Sequence, residues 1–259
     1  MLKIRVIPTL LWKNVGIVKG VGFDSWRRVG TALPAIKVYN TREVDELILL
    51  DITATAEARD PDYDSIEEFS AECFVPLTVG GGVRNLDQIR RLLLAGADKI
   101  TINSAAHDNP ELIREAAARF GSQCIVVAID VRRLPAGSYE CYCRCGTKPT
   151  GLAPTEWARQ VEALGAGEIL LTSIERDGTM QGYDLDLIRQ VAEKVRIPLI
   201  ASGGAGNYEH LFEAIANGKA SAVAAASMFH FTQQTPLEAK QFLAAKGLPM
   251  RRGRMTPTG

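Results

Sequence analysis

The amino-acid sequence predicts a single (β/α)8 barrel of the α/β class, on the basis of three observations. Apolar runs typical of strands buried on both faces of a parallel sheet recur along the 259 residues. These runs alternate eight times with helical patterns. The segment Pro76–Asn85 (PLTVGGGVRN) also reappears 122 residues later as Pro198–Asn207 (PLIASGGAGN). Together these features favour a barrel built from two fused half-barrels.

The predicted strands are short and end in polar residues or glycine. In order they are Ile4–Leu11, Leu47–Ile52, Leu77–Val79, Lys99–Asn103, Cys124–Asp130, Glu168–Thr172, Leu199–Ser202 and Ala222–Ala226. Helical periods fill the intervals, at Pro34–Tyr39, Tyr63–Glu72, Leu86–Ala95, Pro110–Phe120, Pro154–Leu164, Leu185–Lys194, Tyr208–Asn217 and Leu237–Lys246. Thr235-Pro236 followed by Glu238 predicts a capping box with proline at the first helical position. The segment Leu134–Pro149 breaks the rhythm and is expected to form a small hairpin over one mouth of the barrel.

A doubly wound open sheet is the alternative architecture, but it would more often show five to seven strands and one glycine turn. The repeat extends beyond the glycines, since Ile52 corresponds to Ile174 and Gly96 to Gly218 at the same offset. We therefore expect one domain over residues 1–259, with half-barrels at about 1–123 and 124–250 and a tail at 251–259.

Composition excludes several classes of function. Thirty basic residues balance thirty acidic ones without a Lys/Arg run, so we expect neither nucleic acid nor a membrane surface as partner. Met1–Pro8 resembles neither a signal peptide nor a spanning helix. Five cysteines, an odd number, favour the reducing cytoplasm over a disulfide framework. Three of them alternate in CYCRC, where strand geometry separates neighbouring sulfurs by roughly 6.6 Å. We expect no metal and no cofactor.

Asp130 is the strongest catalytic candidate. It ends the apolar strand CIVVAID, so its carboxylate should emerge at the mouth of the barrel beside apolar walls. Such surroundings raise the pKa of a carboxyl group toward the range useful for proton transfer. The alternative is a helix N-cap, or a salt bridge with Arg132 or Arg133.

Two glycine turns predict two phosphate-binding sites, because a strand that ends in glycines leaves backbone N–H groups free to face an anion. Cradle one comprises Gly81, Gly82, Asn103 and Ser104, and cradle two comprises Gly203, Gly204, Ala226 and Ser227. We expect a small molecule carrying two phosphates. Further substrate-binding candidates are Lys19, Thr172, Asp177, Gly178 and Ser202. Alternatively, the glycines merely permit tight turns.

Four charged residues stand at the opposite end, at the starts of strands one, two, four and six. Arg5, Glu46, Lys99 and Glu168 can share one layer inside the barrel, and we call them the charge ring. Two positive and two negative charges cancel, which makes burial tolerable. From the residues alone, the charge ring is either an ion-paired plug or a gate.

Long motifs resemble the cyclase subunit of imidazole glycerol phosphate synthase, across roughly Leu2–Arg252. They are ELILLDITA, PLTVGGGVRN, GADKITINSAA, FGSQCIVVAID, GAGEILLTSIERDGTMQGYD and IASGGAG. The resemblance implies that a class I glutaminase docks at the bottom of the barrel, near Asp98, and releases ammonia. The ammonia would cross the charge ring and react at the top with a bisphosphorylated ribulosyl carboxamide nucleotide.

The resemblance fails at strand one. The family has an aspartate there as the partner of the strand-five aspartate, whereas this chain has Leu11. Alignment of Val6–Leu11 with Ile125–Asp130 likewise places Leu11 opposite Asp130. Loss of one member of an acid/base pair typically lowers the rate by two to four orders of magnitude, about 10²–10⁴-fold. The family's Gly-Asp-Pro is also altered, to Gly30-Thr31-Ala32.

A second branch of the family resembles this chain at strand one and in the run VDELILLDI. Its members act with a glutaminase and an ATP-dependent amidotransferase to modify surface-polysaccharide sugars. Three readings remain: an ammonia-conducting cyclase-like subunit, a working cyclase that pairs Asp130 with Asp51 or Asp177, and a scaffold that only activates its glutaminase. His107, His210 and His230 lack a cysteine in a nucleophile-type turn, so the first two readings require a separate glutaminase.

Overall fold

A computed structural model describes residues 3–14 and 16–251 of the chain. Its strands, in chain order, are β1 (Arg5–Lys13), β2 (Gly16–Val21), β3 (Asp24–Gly30), β4 (Leu47–Asp51), β5 (Leu77–Gly80), β6 (Lys99–Ile102), β7 (Ile125–Arg133), β8 (Tyr139–Cys143), β9 (Lys148–Pro149), β10 (Glu168–Ser173), β11 (Leu199–Ser202) and β12 (Ala222–Ala225). Its helices are α1 (Ala32–Thr41), α2 (Tyr63–Ala71), α3 (Leu86–Leu94), α4 (Ser104–Asp108), α5 (Glu111–Phe120), α6 (Pro154–Ala163), α7 (Leu185–Ala192), α8 (Tyr208–Ala216), α9 (Ser227–Phe231) and α10 (Pro236–Ala245).

Eight of these strands are parallel neighbours in a closed barrel. The order around it is β1-β4-β5-β6-β7-β10-β11-β12, and β12 pairs with β1 again. Each strand is followed by at least one helix before the next barrel strand begins. The predicted (β/α)8 barrel is therefore confirmed, and the open sheet is excluded by the closing pairs.

The core has two parts because barrel strands face the helices with one side and the interior with the other. On β1, for example, Val6 and Leu10 pack outward against the helices, while Ile7 faces inward. The interior cluster consists of residues that are 2% exposed or less: Ile7, Ile48, Val126, Leu170, Ile200, Ala222 and Ala224. This apolar column separates the two ends of the barrel.

Two hairpins extend from the mouth of the barrel. In the first hairpin, β2 pairs antiparallel with β1 and β3 pairs antiparallel with β2, in a segment where no strand was predicted. The second hairpin, β8–β9, pairs with the extended end of β7 and occupies the predicted segment Leu134–Pro149. Pairing with β8 also lengthens β7 to Arg133, three residues past its predicted end.

Two short helices, α4 and α9, were not predicted, because five residues are too few to show a helical period. The capping box at Thr235 is confirmed, with Glu238 bonding back to the Thr235 backbone. The half-barrel boundary stays a prediction; it falls at the 3-10 turn Ser122–Cys124. Except for Arg251, the predicted tail lies outside the described residues. Among the helices described, none is long and apolar enough to cross a membrane.

Candidate functional site

A cavity of about 460 Å³ opens at the mouth of the barrel, where the C-terminal ends of the strands meet. All eight cradle residues line it, and so do Leu11, Asp130 and the predicted substrate-binding residues Lys19, Thr172, Asp177, Gly178 and Ser202. The structure therefore brings these predicted positions together in one place. The mouth is also where enzymes of this fold carry their active sites.

Leu11 and Asp130 occupy corresponding positions on β1 and β7. Leu11 pairs with Leu50 of β4, and Asp130 pairs with Thr172 of β10. Leu50 and Thr172 are 122 residues apart, which is the offset of the sequence repeat. The pairing thus agrees with the alignment made from sequence, and a leucine that is 8% exposed stands where a second acid would complete the pair.

Asp130 is held by hydrogen bonding rather than by a cation. Its Oδ2 accepts a bond of 2.7 Å from the side-chain amide of Asn103. Burial, helped by the negative charge of Asp177, raises the pKa of Asp130 to about 7, although the Asn103 bond acts in the opposite direction. Within the described residues Asp130 forms no salt bridge, and Arg132 contacts Glu175 instead. The alternative reading of Asp130 as a loop salt bridge is wrong.

The N-cap reading of Asp130 is also wrong, because the residue lies inside β7. In that strand it sits beside Thr172 of β10, which in turn pairs with Ser202 of β11. One carboxyl group and two hydroxyl residues therefore stand in a row along the cavity wall. Such a row can hold a polar ligand and exchange a proton with it near neutral pH.

The first hairpin is tied over the cavity through Asp177. Lys19 Nζ lies 2.6 Å from Asp177 Oδ2, and both side chains are largely buried. The backbone N–H of Gly22 donates to the Asp177 carbonyl over 2.9 Å. Burial raises the pKa of Asp177, and Lys19 opposes that shift. A β-carbon on Gly178 would lie 2.1 Å from the Gly20 carbonyl oxygen, so the two loops touch at backbone level.

Both cradles use glycine because their backbones approach a neighbouring strand too closely for a side chain. Gly81 has φ of +104°, and a β-carbon there would lie 2.0 Å from the Asp51 carbonyl oxygen. The corresponding Gly203 has φ of +89° and meets the Ser173 carbonyl oxygen at 2.6 Å. These glycines are structurally required, whatever they bind.

The cradles also contain polar atoms without partners. Ser227 is 4% exposed, and its hydroxyl has no hydrogen-bond partner within the described residues. The side-chain oxygen of Asn103 is unpartnered in the same sense. Because unpaired buried polar atoms are unfavourable, these two atoms indicate that a ligand or water completes the site.

The charge ring is a closed cycle of ion pairs at the bottom of the barrel. Arg5 lies 2.7 Å from Glu46 and 3.0 Å from Glu168, and Lys99 lies 3.0 Å from Glu46 and 3.1 Å from Glu168. Thr78 donates a further hydrogen bond of 2.8 Å to Glu46. The four predicted residues are thus brought together, in a geometry that fits both a plug and a gate.

Asp98 lies beside the charge ring on the same end of the barrel. It is exposed, and its Oδ2 accepts a bond of 2.8 Å from the Leu77 backbone N–H. The side chain is therefore held in place yet accessible from outside.

Sequence reasoning predicted Lys19 of the first hairpin but missed four other cavity residues that the two hairpins supply. Phe23 and Trp26 come from the first hairpin, and Arg144 and Cys145 from the second. Strand ends were the signal used for the other positions, and hairpin residues do not carry it. Among the described residues no three His, Cys, Asp or Glu side chains are placed to hold a metal, and Cys141 and Cys143 are buried as free thiols.

A sequence model of the family described as "Histidine biosynthesis protein" matches residues 5–235. The chain belongs to this family. The match begins at Arg5 of the charge ring and includes every strand of the barrel, both cradles and Asp130. Membership in the histidine biosynthesis protein family supports an enzyme-type barrel at the coarse level, and the finer assignment rests on the residues of the site.

Proposed function

We propose that the chain is the cyclase-like subunit of a glutamine amidotransferase complex. It receives ammonia from a class I glutaminase at the bottom of the barrel and conducts it to the mouth. The acceptor in this proposal is a surface-polysaccharide sugar, amidated with the help of an ATP-dependent amidotransferase. The proposal for the sugar rests on the strand-one resemblance alone.

The proposal of ammonia conduction is supported by the order of three environments along the barrel axis. The charge ring closes the bottom, the apolar interior cluster follows, and the polar cavity lies at the top. Neutral ammonia crosses an apolar column more readily than an ion, because burying a charge without a partner is strongly unfavourable. The column therefore favours ammonia over ammonium.

Leu11 is the observation that carries the proposal of weakened or absent cyclase chemistry. A leucine side chain exchanges no proton, so Asp130 lacks the partner expected from strand one. Asp51, one substitute acid, already accepts hydrogen bonds from Thr53 and Ala54 and pairs with Arg59 at 2.6 Å. These contacts favour a structural role for Asp51.

A working cyclase is the second candidate, with Asp177 as the substitute acid. The specific observation in its favour is that both carboxyl groups line the cavity, where burial and, to a lesser degree, the negative charge of Asp177 raise the pKa of Asp130. The pKa of Asp177 is itself raised. Paired carboxyl groups with altered pKa values are typical of acid/base sites. Against it, Asp177 is engaged by Lys19.

The deciding experiment supplies the purified chain with ammonium chloride and the bisphosphorylated ribulosyl carboxamide nucleotide. We expect negligible formation of imidazole glycerol phosphate; a rate typical of the cyclases would overturn the proposal in favour of the second candidate. Ammonia delivery is tested separately in the complex, with amide-15N-labelled glutamine and excess unlabelled ammonium. Channelled nitrogen should reach the product undiluted.

The scaffold reading is tested in the same labelling experiment. Glu46→Ala and Lys99→Leu alter the charge ring without touching the cavity. If ammonia passes the ring, these variants should admit unlabelled ammonium or block delivery. If the chain is only an activator, glutaminase stimulation and product labelling should both stay as in the wild type.

A further inference from the structure

The turn of the second hairpin has an unusual backbone conformation. Arg144 and Cys145 have φ of +53° and +57°, and Gly146 follows with +75°. A left-handed conformation destabilises a non-glycine residue by roughly 1–2 kcal/mol, so two in succession need compensating contacts. One of these contacts connects the turn directly to cradle one.

That contact fixes the hydroxyl group of Ser104. The Arg144 backbone N–H donates to Ser104 Oγ over 2.9 Å. Because one lone pair of Ser104 Oγ accepts this hydrogen bond, the Ser104 hydroxyl hydrogen must point away from the turn. Ser104 and Arg144 both line the cavity, so the hydroxyl is available as a donor to a ligand there.

The guanidinium of Arg144 is weakly engaged. Its carboxylate contact is Asp108 at 3.7 Å, and both side chains are more than half exposed. Exposed pairs of this kind contribute little, so an anion in cradle one competes easily for the guanidinium. Two N–H groups of arginine match two oxygens of a phosphate in a bidentate contact.

Cradle two differs at the corresponding place. Asp108 ends α4 and Phe231 ends α9, 123 residues apart, just as Ser104 and Ser227 are. There the first hairpin supplies Arg27, whose guanidinium carbon lies 3.6 Å from the centre of the Phe231 ring. Arg27 is thus stacked on an aromatic ring outside the cavity lining, whereas Arg144 lines the cavity.

We propose that Arg144 is a specificity-determining residue of cradle one, which it makes selective for the dianion of a phosphate monoester. The backbone N–H orients the Ser104 hydroxyl, and the guanidinium supplies the charge. This inference rests on the two phosphate-binding sites predicted from the sequence and not on ammonia conduction. Since the second pKa of a phosphate monoester is about 6, affinity at cradle one should rise more steeply from pH 5 to 7 than affinity at cradle two.

Inorganic phosphate is the probe, and the backbone amide signals of Gly81 and Gly82 report cradle one in an NMR titration. Those of Gly203 and Gly204 report cradle two. Arg144→Gly removes the guanidinium, keeps the N–H that holds Ser104 and relieves the left-handed strain. We expect phosphate binding at cradle one to weaken about tenfold or more, with cradle two changed less than about twofold and no loss of thermal stability.

Arg144→Lys should give an intermediate affinity, since lysine keeps the positive charge but lacks the paired N–H groups of the bidentate contact. Arg27→Gln is the matched control and should leave the dissociation constants for phosphate at both cradles unchanged. The assignment is overturned if Arg144→Gly leaves the dissociation constant for phosphate at cradle one unchanged, or if it weakens phosphate binding equally at both cradles. If the wild-type chain binds phosphate at neither cradle, the assignment falls with the phosphate sites, whereas ammonia delivery remains open to its own test.

Discussion

The side-chain amide of Asn103 donates a hydrogen bond to Asp130, at 2.7 Å from its Oδ2. One residue of cradle one is therefore bonded directly to the candidate acid. The other side-chain atom of Asn103, its oxygen, is buried without a partner in the described structure. A ligand that donates to this oxygen would fix the amide and with it the carboxyl group, so occupancy of cradle one and the protonation of Asp130 should be coupled.

Asp130→Asn should make the fold more stable at pH 8. The pKa of Asp130 is about 7 in the folded chain and about 3.9 when unfolded, so between pH 4 and 7 the folded state keeps a proton that the unfolded state has released. Wild-type stability therefore falls as pH rises through this window, and stays lower above it. Asparagine carries no charge at either pH and avoids this loss of stability. We therefore expect the Tm of Asp130→Asn to exceed that of the wild type by several degrees at pH 8, and by less toward pH 4.

Thermal unfolding at pH 4.5 and 8 measures this difference. Asp87→Asn is the control, because Asp87 is exposed on the first turn of α3. It should show little difference between the two pH values. Equal Tm values for wild type and Asp130→Asn at pH 8 would show that Asp130 has an ordinary pKa.

Lys99→Met should destabilise the chain by about 3–5 kcal/mol, as expected when one partner of a buried ion pair is removed. After this substitution, Arg5 is the remaining cation for two carboxylates, Glu46 and Glu168, and Glu46 is only 1% exposed. Urea unfolding at pH 7.5 measures the loss.

Lys37→Met provides the comparison, since the exposed pair of Lys37 with Glu72 should contribute about 1 kcal/mol or less. A Lys99→Met loss of the same small size would mean that water screens the charge ring.

Leu11→Asp places an acid on β1 at the position that corresponds to Asp130 of β7 in the sequence repeat. If cyclase activity is absent because strand one lacks its acid, this variant should form imidazole glycerol phosphate from ammonium at least about tenfold faster than the wild type. General acid–base catalysis typically contributes about 10²–10⁴-fold. Leu11→Asn has nearly the same size without the acid and should give no gain. A wild-type rate typical of the cyclases, little changed in Leu11→Asp, would instead identify a working cyclase.

Gly81→Ala should prevent stable folding or lower the free energy of unfolding by about 3 kcal/mol or more, because the new methyl group would meet the Asp51 carbonyl oxygen at 2.0 Å. Gly247→Ala is the matched control: its φ of +86° is similarly left-handed, but a β-carbon there has no atom of the described chain within 4 Å. It should lose only about 1–2 kcal/mol. Denaturant midpoints compare them, and similar losses would refute the steric argument.

The barrel and most of its site could be predicted because the relevant signals are local. The apolar run that precedes Asp130 marks a strand, although β7 continues to Arg133, and the charges of Arg5 and Glu46 stand out at or just before strand starts. The sequence repeat then located the second cradle from the first.

The hairpins could not be predicted in this way. Four glycines, at 16, 20, 22 and 30, interrupt any strand pattern in the first hairpin, although β2 pairs with β1 and β3 pairs with β2, with two register shifts. Arg144 reaches Ser104 across 40 residues of sequence, through a left-handed backbone that non-glycine residues rarely adopt. Such contacts depend on the assembled barrel and leave no pattern in the chain.

The charge ring has a property that follows from its connectivity. Each carboxylate contacts both cations, so the loss of any one contact leaves the four side chains joined in an open chain. Separating the ring into two parts therefore requires two contacts to be absent together, which squares the small probability of a single break if the contacts open independently. Under the proposal of ammonia conduction, the closed ring would rarely leak, and a partner docked at that end that holds one contact open would make passage depend on one other contact alone.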